Sequence, residues 1–200
     1  QGFVREGHGD LHLANIVMRG GVPVPFDAIE FNPALRHADT MADAAFVFMD
    51  LWRHGLRAPA WRFASAYAER GGDHEGLALL HFFAVYRALV RAQVAALRGD
   101  AAACARDADV AREIAHSRRA RPLLLLTVGL SGAGKSTVAL ELLQALGALR
   151  LRSDVERKRL AGLAAEARPT PAQAEALYSA ALTQRTYARL GSLARALLNA

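Results

Sequence analysis

Cysteine is almost missing from this chain: Cys104 stands alone among 200 residues. One thiol makes no intrachain disulfide and no cysteine-based metal site, and such usage fits a reducing cytoplasm. Lysine is nearly absent too. Of 25 lysine and arginine residues only Lys135 and Lys158 are lysine, and the net charge is +6 with a pI of about 10.2. A basic balance raises the question of nucleic acid. The arginines are scattered, apart from Arg118-Arg119-Ala120-Arg121, and aromatics are only 7% of the chain. With no aromatic platform between them, they read as solvated helix surface rather than a nucleic-acid interface, and a mildly positive field also suits a protein that binds phosphates. No apolar run approaches the length of a bilayer span and no signal-peptide pattern occurs. The expectation is a soluble, cytoplasmic protein without a membrane partner.

What is present is apolar and helical. Hydrophobic residues make up 52% of the sequence, enough for one or two cores. Residues 1–117 open with a hairpin: Asn15–Met18 and Val22–Phe26 flank the turn signal Arg19-Gly20-Gly21. Pro23 and Pro25 make the second strand an edge strand or an irregular one. Helical spacing then predicts helices over 40–53, with Met41, Ala44, Ala45, Phe48 and Leu51 inward, over 59–70, over 73–97 with the stripe Leu79, Phe83, Tyr86, Val90, Val94 and Leu97, and over 101–117. Residues 118–122, polar and ended by Pro122, form the expected linker. Residues 123–200 then read as strand (123–128), helix (136–146), strand (148–152), helix (154–161) and a helix from Pro171 onward. That order is the beginning of a parallel α/β sheet domain, so the fold class is α/β with a mostly helical first part.

The most informative residues are Gly129-Leu130-Ser131-Gly132-Ala133-Gly134-Lys135-Ser136, followed by Thr137. They fit G-x-x-x-x-G-K-[ST], in which glycines let successive backbone N–H groups turn toward phosphate oxygens. Lys135 is placed to reach the outer phosphates, and the Ser136 hydroxyl to hold Mg²⁺. The helix that follows adds the positive end of its dipole, and Gly147 is a suitable stop for it. A buried strand, a glycine loop and a helix are the context this motif needs; the alternative is a plain glycine-rich turn. ATP and Mg²⁺ are the expected cofactors.

After the second expected strand come Ser153, Asp154, Glu156, Arg157, Lys158 and Arg159. Ligands of open α/β sheets sit at such strand ends, so Asp154 and Arg157 are candidates for contact with an acceptor or metal. The competing reading is a Ser153–Glu156 capping box, with Asp154 favouring a helix N-terminus. Lys158 and Arg159 read as surface or lid charges. Tyr178 and Tyr187 read as packing residues of one long helix.

A second phosphotransfer pattern lies near the start. His8-Gly9-Asp10-Leu11-His12-Leu13-Ala14-Asn15 has the spacing H-x-D-x-x-x-x-N, and Asp27 follows the hairpin. An aspartate is needed to orient an acceptor hydroxyl, and an asparagine and a second aspartate to hold Mg²⁺ against a triphosphate. Asp10 and Asn15 are also common turn formers. His12 reads as a packing histidine; His37, His54 and His81 show no partner pattern. Asp39 could cap the helix after it. His8–Asn15, Phe26–Glu30 and Asp39–Phe46 together resemble the C-terminal lobe of aminoglycoside phosphotransferase-like kinases. The whole chain is similar to a bacterial two-part family in which such a domain is fused to a P-loop ATP-binding domain. The resemblance implies that Asp10 is the catalytic base, that Asn15 and Asp27 bind metal, that Asp43 steadies the catalytic loop, and that His8 and Glu30 support it.

The chain opens at Gln1 without an initiator methionine and stops at Ala200 inside a helical pattern, which reads as a fragment cut at both ends. The function implied is an ATP-dependent phosphotransferase acting on the hydroxyl of a small-molecule acceptor, with catalytic roles for Asp10 and Lys135. The alternative is a nucleotide-binding switch without transfer. Because the nucleotide-cradling lobe of the resembled kinases is not among these residues, residues 1–117 alone are expected to show negligible phosphotransfer. Measurable turnover of labelled ATP by that isolated segment would contradict this.

Overall fold

The computed structural model describes residues 2–117, 122–130 and 132–199. All of the expected linker except Pro122 lies outside them, as does Ser131. The chain divides into two compact units, one of residues 1–64 and 79–121, the other of residues 65–78 and 122–200.

In the first unit β1 (Val4–Glu6) pairs antiparallel with β4 (His37–Asp39), and β2 (Ile16–Arg19) with β3 (Val22–Pro25). Gly20 and Gly21, at φ of 59° and 79°, make the β2–β3 turn that only glycine enters without strain. A short helix α1 (Pro33–Arg36) leads into β4; Asp39 then accepts from the Met41 amide at 2.8 Å and caps α2 (Thr40–Arg53). α2 is buried on nearly every side, from Met41 to Trp52, so it is the central helix of this unit rather than a surface helix with one apolar face. Phe48 stacks at 5.2–5.5 Å on Trp52 and Trp61.

α3 (Arg57–Gly71) follows, then a 3₁₀ turn (Gly76–Leu79), α4 (Leu80–Leu97) and α5 (Ala101–Ser117). The helix expected from Asp73 therefore starts at Leu80: the Asp73 carboxylate accepts from the Gly76 amide at 2.9 Å and holds a turn instead. The expected stripe of α4 is corrected as well. Its buried positions are Leu80, Ala84, Ala88, Ala92 and Ala95, while Tyr86, Val94 and Leu97 are exposed. α4 packs on α2 and α5, and alanine lets helix backbones approach closely where larger side chains would hold them apart. By length and composition Gly76–Leu97, at a mean hydropathy of 1.3, is long and apolar enough to cross a membrane, which the sequence reading did not register.

The second unit holds α6 (Lys135–Leu146), α7 (Ser153–Leu160), α8 (Pro171–Leu177) and α9 (Ala180–Asn199), with residues 65–78 packed among them. Gly147 ends α6 at φ 64°. α8 starts with a capping box between Thr170 and Gln173. The single long helix expected from Pro171 breaks at Tyr178–Ser179, where the Ser179 hydroxyl accepts from the Leu182 amide and starts α9.

Neither expected strand of this unit is paired. Residues 123–128 are irregular, and Leu123, Leu124, Leu125, Leu126 and Val128 are exposed. A strand exists only where a neighbour satisfies its amides and carbonyls; among the described residues both sheets are two-stranded and lie within residues 4–39. Residues 148–152 are irregular too. Side chains hold them: Ser65 Oγ accepts from the Arg150 amide at 3.1 Å, and Glu69 takes both Arg150 and Arg152, at 3.3 and 2.9 Å.

Glu156, fully buried, anchors α7. It pairs with Arg159 on its own helix and with Arg189 of α9 at 2.6 Å, and His74 Nδ1 lies 4.0 Å away. Burial holds the His74 imidazole below its ordinary pKa of 6.5; the Glu156 charge pulls the other way, and Arg159 and Arg189 add to the lowering. The unfolded chain takes up this proton near its ordinary value while the folded chain still excludes it. The stability present above about pH 6.5 is therefore lost as pH falls from that value through the lower folded one. Melting temperature against pH is expected to fall on this limb in the native chain and to flatten in His74→Gln.

Candidate functional site

In the first unit two carboxylates of α2 shape the loop after β1. Asp43 accepts from the backbone amides of His8 and Gly9, at 2.7 and 3.0 Å. The Arg87 guanidinium of α4 stands 4.0 Å from the same carboxylate and 5.0 Å over the Phe46 ring. Asp50, two helical turns further on, accepts from the Leu13 amide at 2.9 Å. The loop must run close to the helix for this. A Cβ on Gly7 would meet Asp43 Oδ2 at 2.5 Å, and Gly9, at φ 80°, has Ile29 and the Leu35 carbonyl within 3.2 Å of where its Cβ would be.

The fixed loop gathers most of the expected residues. Asn15 is buried and donates from its amide nitrogen to the Asp10 carbonyl at 3.0 Å and toward the Asp10 carboxylate at 3.4 Å. With its nitrogen used inward, its oxygen is the atom left for a cation. His8 Nε2 bonds the Phe26 carbonyl at 2.8 Å, and the Asn15 carbonyl accepts from the Phe26 amide at 3.0 Å. These two bonds tie the residue before Asp27 to the loop. Asp27 itself sits at φ 60°, a left-handed conformation that costs any residue with a Cβ. Asp10 is half-exposed, with His12 Nε2 3.5 Å from its carboxylate, and His12 lies against Phe46 at 5.5 Å between ring centres. Glu30 is exposed, and among the described residues it makes no hydrogen bond or ion pair to the loop.

Asp50 was missed in the sequence. The signal was there: it stands seven residues after Asp43, on the same face of an otherwise apolar helix.

In the second unit the glycine loop leads into α6. Gly132 and Gly134 sit at φ 79° and 78°, and the Ala133 amide turns back onto the Leu130 carbonyl at 3.2 Å. Gly134 is the N-cap and offers no side chain, so the start of α6 carries no competing cap. Lys135 reaches across the loop and donates to the carbonyls of Gly129, at 2.8 Å, and Leu130. Gly132, Ala133, Gly134, Ser136 and Thr137 are exposed to solvent.

The other candidates of this unit stand apart from the loop. Arg157 is buried; its guanidinium donates to the Leu177 carbonyl at 2.9 Å and to Thr183 at 2.8 Å, over the exposed Tyr178 ring at 4.8 Å. Asp154 is half-exposed and pairs with Lys158 at 3.0 Å, and Lys158 also donates to the Ala165 carbonyl. The Ser153–Glu156 capping box does not form, because Arg152 is the N-cap and Glu156 turns into the core. Lys158 and Arg159, read as surface charges, are internal ties.

Among the described residues no group of three or more histidine, cysteine, aspartate or glutamate side chains could hold a metal. Mg²⁺ needs less: it keeps several waters and takes one or two protein oxygens beside substrate phosphates. The oxygen donors of Asn15 and Asp27 suit it, and so does the Ser136 hydroxyl.

Residues 124–200, which include the glycine loop from Gly129 and the helices after it, match the family model described as an AAA domain. Uncharacterized proteins of Mycobacterium bovis and Mycobacterium tuberculosis are each 35% identical to this chain over 164 residues, which cover 80% of it and 33% of their own length. The chain thus spans about one third of the length of the curated relatives it matches. An alignment of 164 residues extends well beyond residues 124–200 into the first segment. No solved structure matches the chain.

Replacing either α2 carboxylate leaves loop amides without an acceptor. Asp43→Ala and Asp50→Ala are each expected to lower stability by about 1–3 kcal/mol, Asp43→Ala more because it accepts from two amides. Chemical denaturation measures both.

Proposed function

We propose that this chain is part of an ATP-dependent phosphotransferase. In this reading residues 1–117 are the C-terminal lobe of an aminoglycoside phosphotransferase-like kinase, and residues 123–200 begin a P-loop kinase domain. The observation that carries the nucleotide site is the glycine loop itself: left-handed glycines at 132 and 134, an uncapped helix start at 135, and a lysine lying across the loop. ATP phosphates would meet the loop amides and the α6 dipole, and the Lys135 ammonium would exchange two loop carbonyls for phosphate oxygens. Mg²⁺, held through Ser136, would neutralise the developing charge.

Support for the first lobe is the convergence of Asp10, Asn15 and the Phe26–Asp27 corner on one braced loop. Asp10, the half-exposed carboxylate, would orient the acceptor hydroxyl and take its proton. Asn15 and Asp27 would hold the metal, with His8 fixing the corner and Asp43 fixing the loop. Positioning and electrostatics would then carry most of the catalysis. The partner is a small molecule bearing a hydroxyl, in the cytoplasm; neither nucleic acid nor membrane is part of this reading. Asp154 and Arg157 join it only if an acceptor draws them out of their present bonds.

Lys135→Ala is expected to weaken ATP binding by roughly 10- to 100-fold, the worth of a charge-assisted bond, as measured by calorimetry. Labelled ATP supplied to the full-length protein with a panel of small hydroxylated metabolites tests the transfer. Product label that disappears in Asp10→Asn or Lys135→Ala supports the enzyme. ATP binding with no label on any acceptor favours a nucleotide switch.

A further inference from the structure

Arg150 is the feature of the second unit that the nucleotide-site reading leaves unused. It lies in the irregular stretch between α6 and α7 and is fixed at three points. Its amide is held by Ser65, its guanidinium by Glu69 at 3.3 Å, and one guanidinium nitrogen reaches the Ser136 carbonyl at 3.5 Å. Its Nε–H is buried and has no partner among the described residues. Arg152 shares Glu69, at 2.9 Å, but among the described residues it has no bond to the glycine loop.

We propose that Arg150 is a positioning residue of the phosphate site: carried by Glu69, it sets the first turn of α6 so that the Ser136 hydroxyl faces a nucleotide-bound Mg²⁺. The proposal rests on the nucleotide-site reading. The Ser136 carbonyl and the Ser136 Cα–Cβ bond share one backbone unit, so a donor that holds the carbonyl limits how far the base of the Ser136 side chain can shift. Mg²⁺ demands near-ideal octahedral geometry and tolerates little displacement of a ligand. The amides that cradle phosphate lie upstream, at residues 132–135, and are not touched by Arg150. Loss of Arg150 should therefore damage metal-dependent binding more than phosphate binding itself. The geometry also requires arginine: a planar fork bridges Glu69 and a carbonyl at once, whereas a lysine ammonium keeps the charge without the fork.

The test is calorimetric titration of the 200-residue chain with ATP, once with Mg²⁺ and once with chelator, with thermal melting to confirm that each variant folds. Arg150→Ala, Arg150→Lys and Glu69→Gln are each expected to weaken Mg²⁺–ATP binding about three- to tenfold. Metal-free ATP binding should change less than about twofold, and Arg152→Ala should leave the Mg²⁺ advantage intact. The proposal is overturned if Arg150→Ala loses affinity equally with and without metal, which marks a merely structural residue. It is overturned also if Arg150→Lys restores full Mg²⁺–ATP affinity, which marks charge alone. A native chain that binds no ATP overturns both this role and the nucleotide site; Lys135-dependent binding that survives unchanged in Arg150→Ala overturns this role only.

Discussion

A carboxylate drawn largely out of water must be met by donors, and among the described residues Asp43, Asp50, Glu69 and Glu156 each gather them. In the first unit Asp43 and Asp50 leave the buried face of α2 and draw in three backbone amides of one loop. In the second, Glu69 collects Arg150 and Arg152. Glu156, hardly exposed at 1%, takes Arg159 and Arg189. Each would be expensive unpaired. Asp43, Asp50 and Glu69 recruit donors from segments that regular secondary structure does not hold, the His8–Asn15 loop and the stretch between α6 and α7, while the donors of Glu156 stand on α7 and α9. Irregular backbone is placed by ionic and charge-assisted bonds, and the candidate chemistry sits on that backbone.

This division explains what could be read in advance. The helices over 40–53 and 101–117, the Gly20–Gly21 turn and the Gly147 stop were legible because each depends on local periodicity or on the φ a single residue can adopt. The glycine loop and the His8–Asn15 pattern were legible because chemistry fixes their spacing. What was not legible depends on partners far along the chain. Leu123–Val128 has the composition of a buried strand, but composition does not say whether a neighbour will pair with it. The alanine stripe of α4 was hidden behind larger residues that a hydrophobicity pattern weights more heavily. Arg157 and Lys158 read as available cations, yet backbone carbonyls of Leu177 and Ala165 claim them. The spacing of Asp50 from Asp43 marks a shared helix face, but its partner, the Leu13 amide, lies 37 residues away in the chain.

The scarcity of lysine takes on meaning beside these networks. Glu69, Asp107 and Glu156 are all paired with arginine, and each has two guanidinium groups within ion-pair distance. A planar fork serves such shared acceptors better than a point charge, and it never loses its proton in the accessible pH range. Lys135 at the glycine loop is different: its compact ammonium donates to two loop carbonyls and pairs with no carboxylate among the described residues.

The run Leu123-Leu124-Leu125-Leu126-Thr127-Val128 carries a further consequence. It is six residues long, uncharged and free of proline, and it stands in solvent, with Val128 at 91% exposure. Unpaired amides and carbonyls beside leucine and valine side chains are a template for the same segment of another molecule. Such a stretch is expected to favour self-association at high concentration, and a single charge placed within it to oppose it.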